Sequence, residues 1–384
     1  MKSVAIVSPS FYPMIGGVEG YVLGIGSELV KMGVRADVYT PARVFGRSCG
    51  DAEETVQGIN VHRIRVPIEL SYRVKIWPGL IDALQSRQHD LIHVYSHDSY
   101  AAFALFAARR MNTPFVVTTY GPFETHSDYG PVRSGIFRVY DALITPRIMG
   151  RSSAVFIRYP ALGAWVESFG LPPENILLEP SGIPRTSLTP RHSDKLRKEV
   201  GSGPIILYLG RISPQKGVQH AVDSMVDISK RYPKSRLVLM GPDYTGYSSE
   251  LKERAASLNV LENIVFMPPT EDEGEQLEAI SECDIFVMPS SFEGFSQAVM
   301  KAMAQGKPVV VTNVGGLPYE VDYGRCGIIC AYGDPRALAD SILDILKGSE
   351  GISEIARRGM LRAQSFTFDV LAGRLAAEYS RIAG

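Results

Sequence analysis

The segment IFVMPSSFEGFSQAVMKAMAQGKPVVVTNVGG, residues 285–316, decides the fold of this chain. It opens on an apolar run at 285–289 and ends on another at 309–312. Both are apolar on consecutive positions, as in strands covered on both faces of a parallel sheet. The intervening 295–305 reads as a helix that stops at Gly306, ahead of Lys307 and Pro308.

The same strand–helix rhythm extends outward in both directions. In the first half, strand runs at 4–8, 36–40, 61–66, 91–96, 115–120 and 154–159 alternate with helix candidates at 19–31, 78–86 and 100–110. In the second half the runs fall at 205–209, 236–240, 264–267, 285–289, 309–312 and 327–330. Its helices read as 218–230, 249–258, 274–281, 295–305, 335–346 and 353–365. This alternation predicts two doubly wound, Rossmann-like α/β domains. Pro180, Gly182, Pro184, Pro190 and Gly203 punctuate 179–203 as a linker, dividing the chain into 1–184 and 185–362.

Composition narrows the function. The 384 residues carry 40 Lys+Arg and 41 Asp+Glu, and this neutrality argues against a nucleic-acid binder. The longest apolar run, 100–108, ends at Arg109 and Arg110, far short of the roughly 20 residues of a membrane span. Four cysteines in a chain of this length are no disulfide framework. Cys326 and Cys330 lack a second Cys/His pair, so no metal site is expected, and the setting reads as a reducing cytoplasm.

Open α/β sheets bind ligands beyond the carboxyl ends of their strands. Three stretches there carry chemistry. Gly16 and Gly17 precede the first helix and leave amides open to an anion, a pattern that also fits an ordinary turn. Gly20, Gly24 and Gly26 within that helix imply close approach of another backbone or a ligand. In the second half, Gly210-Arg211 and Lys216-Gly217 share a loop, where Arg and Lys offer a grip for a diphosphate or act as surface charges. Glu293 stands where a strand hands over to a helix. Its carboxylate accepts bonds from sugar hydroxyls or merely complements the helix dipole. The amides of Gly294, Phe295 and Ser296 are available to an anion.

These motifs, in this order and through Ala302-Met303-Ala304, Gly306-Lys307-Pro308 and Gly315-Gly316-Leu317-Pro318, resemble the retaining nucleotide-sugar glycosyltransferases of group 1 (family 4). The resemblance covers nearly the whole chain. It implies a GT-B fold, two Rossmann-like domains facing each other across a cleft. The N-terminal domain would bind the acceptor and the C-terminal domain the donor, with a last helix (about 363–384) packing back on the first. It further implies sugar transfer from a UDP-, GDP- or ADP-sugar with retained configuration, and no cofactor or metal beyond the donor. Gly16, Gly17 and Gly210 would approach the diphosphate, Arg211 and Lys216 would neutralise it, and Glu293 would hold the sugar. The base would lie against the loops after Gly241 and Met267.

Two positions depart from the family. Lys301 stands where a second Glu often meets ribose; it reads as a phosphate contact or as a solvated helix residue. Tyr120-Gly121 replaces His-Gly near the reacting sugar; His97 and His126, on neighbouring loops, are candidate substitutes or plain loop residues. His93 reads as a packed strand residue. Arg133, Arg138, Arg147, Arg151 and Arg158, with only Asp141 as counter-charge, make 133–158 either a membrane-surface segment suited to a lipid-linked acceptor or a helix with solvated arginines. The acceptor class is a glycan, a lipid-linked sugar or a small molecule. The alternatives are a non-catalytic nucleotide-sugar-binding scaffold, motivated by Lys301 and Tyr120, and a sugar-nucleotide epimerase. Localisation reads as cytoplasmic with optional membrane association, and the oligomeric state stays open.

Overall fold

The computed structural model describes residues 1–14, 16–44, 46–70, 74–122 and 130–384. The chain divides into two compact units, Met1–Gly182 with Phe368–Gly384, and Ile183–Thr367.

Unit 1 begins with β1 (Ser3–Val7), α1 (Gly17–Lys31) and β2 (Arg35–Pro41), then the hairpin β3 (Arg43–Val44) and β4 (Arg47–Ser48). Next come β5 (Glu53–Val56), β6 (Ile59–Ile64), the hairpin β7 (Ile68–Glu69) and β8 (Lys75–Ile76), and α2 (Gly79–Gln85). The remainder is β9 (Leu91–Tyr95), α3 (Ser99–Met111), β10 (Phe115–Thr119), α4 (Gly130–Leu143), α5 (Thr145–Met149), β11 (Ala154–Ile157), α6 (Gly163–Glu167) and β12 (Ile176–Leu178). Eight strands form one sheet in the order β12-β11-β10-β9-β1-β2-β6-β5. All pairings are parallel except β5 on β6. Every residue of β1, β9, β10 and β11 is buried, which is why those runs are mostly apolar and do not alternate.

Unit 2 contains α7 (Lys195–Val200), β13 (Ile205–Leu209), α8 (Val218–Arg231), β14 (Arg236–Met240), α9 (Tyr247–Ser257) and β15 (Ile264–Met267). It continues with α10 (Glu273–Glu282), β16 (Ile285–Met288), α11 (Gln297–Ala304), β17 (Val309–Thr312), α12 (Leu317–Glu320), β18 (Ile328–Cys330), α13 (Pro335–Leu346) and α14 (Ile352–Ala363). Its six strands are parallel, in the order β15-β14-β13-β16-β17-β18. The final helix, α15 (Phe368–Ala383), belongs to unit 1.

Three expectations change here. The stretch 179–203 is not a bare linker: Ile183, Leu196 and Val200 are buried in the unit 2 core, the last two on α7. The last helix starts at Phe368 rather than 363, because Thr367 is extended and breaks the helical path. Within α1, Gly24 makes room for a side chain, neither a backbone nor a ligand. A Cβ there would enter the ring of Phe368, the first residue of α15. That ring meets Tyr21 of α1 edge-on at 6.1 Å, so the glycine lets α15 lie close along α1.

Two buried histidines give unit 1 an acid sensitivity. Burial pushes His93 and His89 down to about 4, against an ordinary value of 6.5. A base with a lowered folded pKa binds fewer protons folded than unfolded. Stability is therefore full above pH 6.5 and drains as pH falls toward 4. The expected loss is roughly 3 kcal/mol per histidine. Asp37, held at about 2 mainly by hydrogen bonds to His62 and Asn60 that outweigh its burial, adds a further loss only below about pH 4. Thermal unfolding from pH 7.5 to 4 should show a steadily falling midpoint; a flat profile would contradict this account.

Candidate functional site

In the unit 2 sheet the chain builds β13, β14 and β15 to one side, then restarts at β16 and builds to the other. The crevice between β13 and β16 is thus the switch point where an open α/β sheet takes its ligand. The loop after β13 carries Arg211 and Lys216, and the loop after β16 carries Glu293. Lys216 Nζ donates to Glu293 Oε2 at 2.5 Å, and both side chains are 14% exposed. Arg211 is exposed, and its carbonyl is fixed by the buried hydroxyl of Tyr208 at 2.6 Å.

Backbone contacts lock these loops together. Ser291 N–H and Oγ both donate to Gln215 O, at 2.8 and 2.9 Å. Gly217 is left-handed (φ +65), and a Cβ on it would collide with the carbonyl of Pro289. Gly316 N–H donates to Glu293 O at 2.8 Å. At the start of α11, Ser296 is the N-cap, its Oγ accepting from Val299 N–H at 3.3 Å. Its own N–H donates to Glu320 Oε2 at 2.9 Å. Ser296 was expected to offer this amide to an anion; it is already committed, which leaves a ligand the amides of Gly294 and Phe295. Glu320 is fully buried near Glu293, and burial raises its carboxyl well above the usual range.

Lys301 is not solvated. It is 9% exposed, and Nζ donates to Gln276 Oε1 at 3.0 Å with Glu273 Oε1 3.5 Å away. Burial lowers its pKa, opposed by Glu273. Glu273 and Gln276 of α10 and the carboxyl of Glu320 were not singled out from sequence. The pairing with α10 joins residues 25 positions apart and has no local signal. Glu320 lies just beyond the Gly315-Gly316-Leu317-Pro318 motif, the one hint to its place.

In unit 1 the corresponding switch point lies between β1 and β9. Gly16 and Gly17 follow β1 and start α1, with Glu19 buried in its first turn and bonded to Ser10 Oγ. A Cβ on Gly16 would meet the Glu19 carboxylate, whereas Gly17 borders open space. Tyr120 and Gly121 follow β10. His97, proposed as a substitute near the reacting sugar, is 1% exposed. Its Nδ1 is 3.1 Å from Thr119 Oγ1, its Nε2 is 3.6 Å from Asp141 Oδ1, and Tyr140 Oη donates to its carbonyl at 2.9 Å. This is a side chain built into the wall. His126 lies outside the described residues. His93 is fully buried, stacked on Tyr95 and Phe156 and bonded to Tyr379 of α15.

The arginine row at 133–158 divides. Arg138, Arg147 and Arg151 are exposed, near exposed Val139, Leu143 and Ile144. Arg158 is 2% exposed and directed inward, its guanidinium over the rings of Tyr21 and Tyr120. Asp141 Oδ1 lies 3.6 Å from His97 Nε2 and accepts from Thr145 Oγ1 at 2.9 Å. Among the described residues, no helix is long and apolar enough to cross a membrane, and no group of three or more His, Cys, Asp or Glu is placed to hold a metal ion.

Comparison with known proteins fits this geometry. Residues 16–182 match the family model "Glycosyl transferase 4-like domain" and residues 192–360 match "Glycosyl transferases group 1". The chain is 25% identical to a D-inositol 3-phosphate glycosyltransferase of Corynebacterium efficiens over 95% of its own length and 90% of the relative's. It is 26% identical to mannosylfructose-phosphate synthase of Agrobacterium fabrum, over 94% and 86% respectively. Among solved structures, Anabaena HepE in complex with UDP-glucose superposes with a TM-score of 0.77 at 18% identity, covering 99% of this chain and 100% of that one. Sucrose-phosphate synthase of Thermosynechococcus elongatus gives 0.79 at 19% identity, covering 100% and 99%. Two doubly wound units, motifs at both switch points and two adjoining family matches lead to one conclusion: the chain belongs to the group 1 glycosyltransferases and has the GT-B fold.

Proposed function

We propose that the protein transfers a sugar from a nucleoside-diphosphate donor, held by unit 2, to a hydroxyl of an acceptor held by unit 1, with retained anomeric configuration and no metal ion. The observation that carries this reading is the Lys216–Glu293 pair at the β13/β16 switch point, with Arg211 on the same loop as Lys216. Two cations and a sugar-binding carboxylate at one crevice suit a glycosyl diphosphate. The leaving diphosphate gains negative charge as the C–O bond breaks, and Arg211 and Lys216 would stabilise that charge. The acceptor hydroxyl attacks the anomeric carbon on the leaving-group side, and its proton passes to the departing phosphate oxygen. A UDP-sugar is the first donor to test, supported by the HepE complexes with UDP and UDP-glucose. GDP- and ADP-sugars follow. The membrane-surface reading now rests on exposed Arg138, Arg147 and Arg151, while the side chain of Arg133 lies outside those described.

Incubation with a panel of UDP-, GDP- and ADP-sugars in the presence of EDTA tests the proposal. Slow donor hydrolysis or transfer, giving a product with the donor's anomeric configuration, is the expected result. Inverted product overturns the retaining assignment, and loss of activity on chelation overturns metal independence. Tight nucleotide binding without turnover across all donors and acceptors would favour the non-catalytic scaffold.

A further inference from the structure

Tyr120 stands directly after β10 at the carboxyl edge of the unit 1 sheet, next to the strand pair that brackets the switch point, and is only partly buried. Behind it lies Arg158, directly after β11 and almost fully buried. Burial favours protein acceptors for its hydrogens; both terminal nitrogens have one, while Nε, also buried, has none among the described residues. Nη1 donates to Glu179 O at 2.9 Å, and Nη2 donates to Tyr120 Oη at 2.9 Å. Its charge lies over the rings of Tyr21 at 4.3 Å and Tyr120 at 4.9 Å. The Glu179 carboxylate, 4% exposed, is held by the hydroxyls of Tyr21 (3.0 Å), Tyr95 (2.9 Å) and Thr118 (2.5 Å). Arg158 is thus fixed from three elements and has one orientation.

The direction of the Arg158–Tyr120 bond has a chemical consequence. Arginine has donors only, so Tyr120 Oη is the acceptor in that bond and keeps its own proton to give elsewhere. A phenol that accepts from a cation becomes a stronger donor. The charged groups acting on this phenol are Arg158, Glu179 and, from α1, Glu19; burial outweighs Arg158 and keeps its pKa above the ordinary value. It therefore stays protonated at neutral pH and acts as a donor rather than a base.

We infer that Tyr120 donates a hydrogen bond to a substrate oxygen bound at the unit 1 edge, and that Arg158 is a positioning residue that aims and polarises it. The partner is a carbohydrate hydroxyl or a phosphate oxygen, both of which accept. The inference rests on the glycosyl-transfer reading, within which it assigns Tyr120 a defined act and Arg158 a role in place of surface charge.

The test replaces Tyr120 with Phe and with 3-fluoro- and 3,5-difluorotyrosine, and makes Arg158→Lys separately. Transfer kcat/KM is read against pH, UDP affinity by calorimetry, and folding by thermal unfolding. Tyr120→Phe should lower kcat/KM by about five- to tenfold, the size of one hydrogen bond, with UDP affinity unchanged and a lower melting temperature, because Arg158 Nη2 loses its acceptor. The fluorinated phenols should raise kcat/KM near neutrality and impose an upper pH limit that falls with phenol acidity. Arg158→Lys should flatten that response. Acceptors with and without phosphate separate the two oxygen sources, since the Tyr120→Phe loss vanishes when its partner is missing.

A Tyr120→Phe enzyme within twofold of wild type, or fluorotyrosine enzymes with the wild-type pH profile, overturns the inference while leaving glycosyl transfer intact. The fluorotyrosine series leaves residue 158 untouched, so it decides the matter even where Arg158→Lys fails to fold. Wild-type protein that binds UDP but neither transfers nor hydrolyses any donor fails the functional reading, and the inference falls with it.

Discussion

Arg211→Ala should lower turnover by about a hundredfold to a thousandfold, the effect of removing one preorganised charge from a developing oxyanion. Its melting temperature should stay within about 1 °C of wild type, as for a surface substitution without structural partners. The side chain is exposed, and the fold holds this residue through its carbonyl, which alanine retains. Lys216→Ala should cost as much in turnover but also destabilise unit 2 by about 2 kcal/mol. It leaves the Glu293 carboxylate, 14% exposed, without its cation and close to buried Glu320. The double variant should lose less than the product of the single losses, because both cations act on one leaving group. Saturating-donor kcat and thermal unfolding of the three variants check this. Wild-type turnover in both single variants would overturn the site assignment.

Gly217→Ala should be the most damaging small substitution in the site. The residue is left-handed, which costs an L-residue about 1–2 kcal/mol. The added methyl would also press on the Pro289 carbonyl, and relief means separating the loops after β13 and β16. A total near 3 kcal/mol corresponds to a melting temperature roughly 6–12 °C lower. Turnover should fall more than tenfold, since Lys216 is the neighbouring residue and moves with the loop. Gly348→Ala is the control: it has a similar φ of +70 with nothing within 4 Å of its Cβ, so it should cost only the backbone strain. If both variants melt together, the close approach to Pro289 is not what demands glycine at 217.

Fold legibility varied with local pattern. Strands such as β1, β9 and β10 were visible because burial on both faces makes most of their residues apolar on consecutive positions. β12 escaped notice because it is three residues long and directly precedes the proline-punctuated stretch. α7 was hidden by the prolines and serine before it, and only its burial of Leu196 and Val200 makes it part of a core. In the candidate site, Arg211, Lys216 and Glu293 were found because strand-end position and residue type suffice to nominate them. The partners of Lys301 and of Arg158 could not be found in this way. A lysine on a helix and an arginine after a strand look solvated until tertiary packing shows what lies over them.

The two doubly wound units, the family and the residues at the strand ends are thus legible in the chain alone, since period, punctuation and motif order are local quantities. Where each polar side chain points, and which partner it is committed to, follows from packing. Packing turned Arg158 from a surface charge into the anchor of Tyr120, closed His97 into the wall, gave the Ser296 amide to Glu320 and paired Lys301 with α10. The physical reason is that a polar group's role depends on which acceptors and how much water surround it. Those neighbours come from elements tens of residues away in the chain.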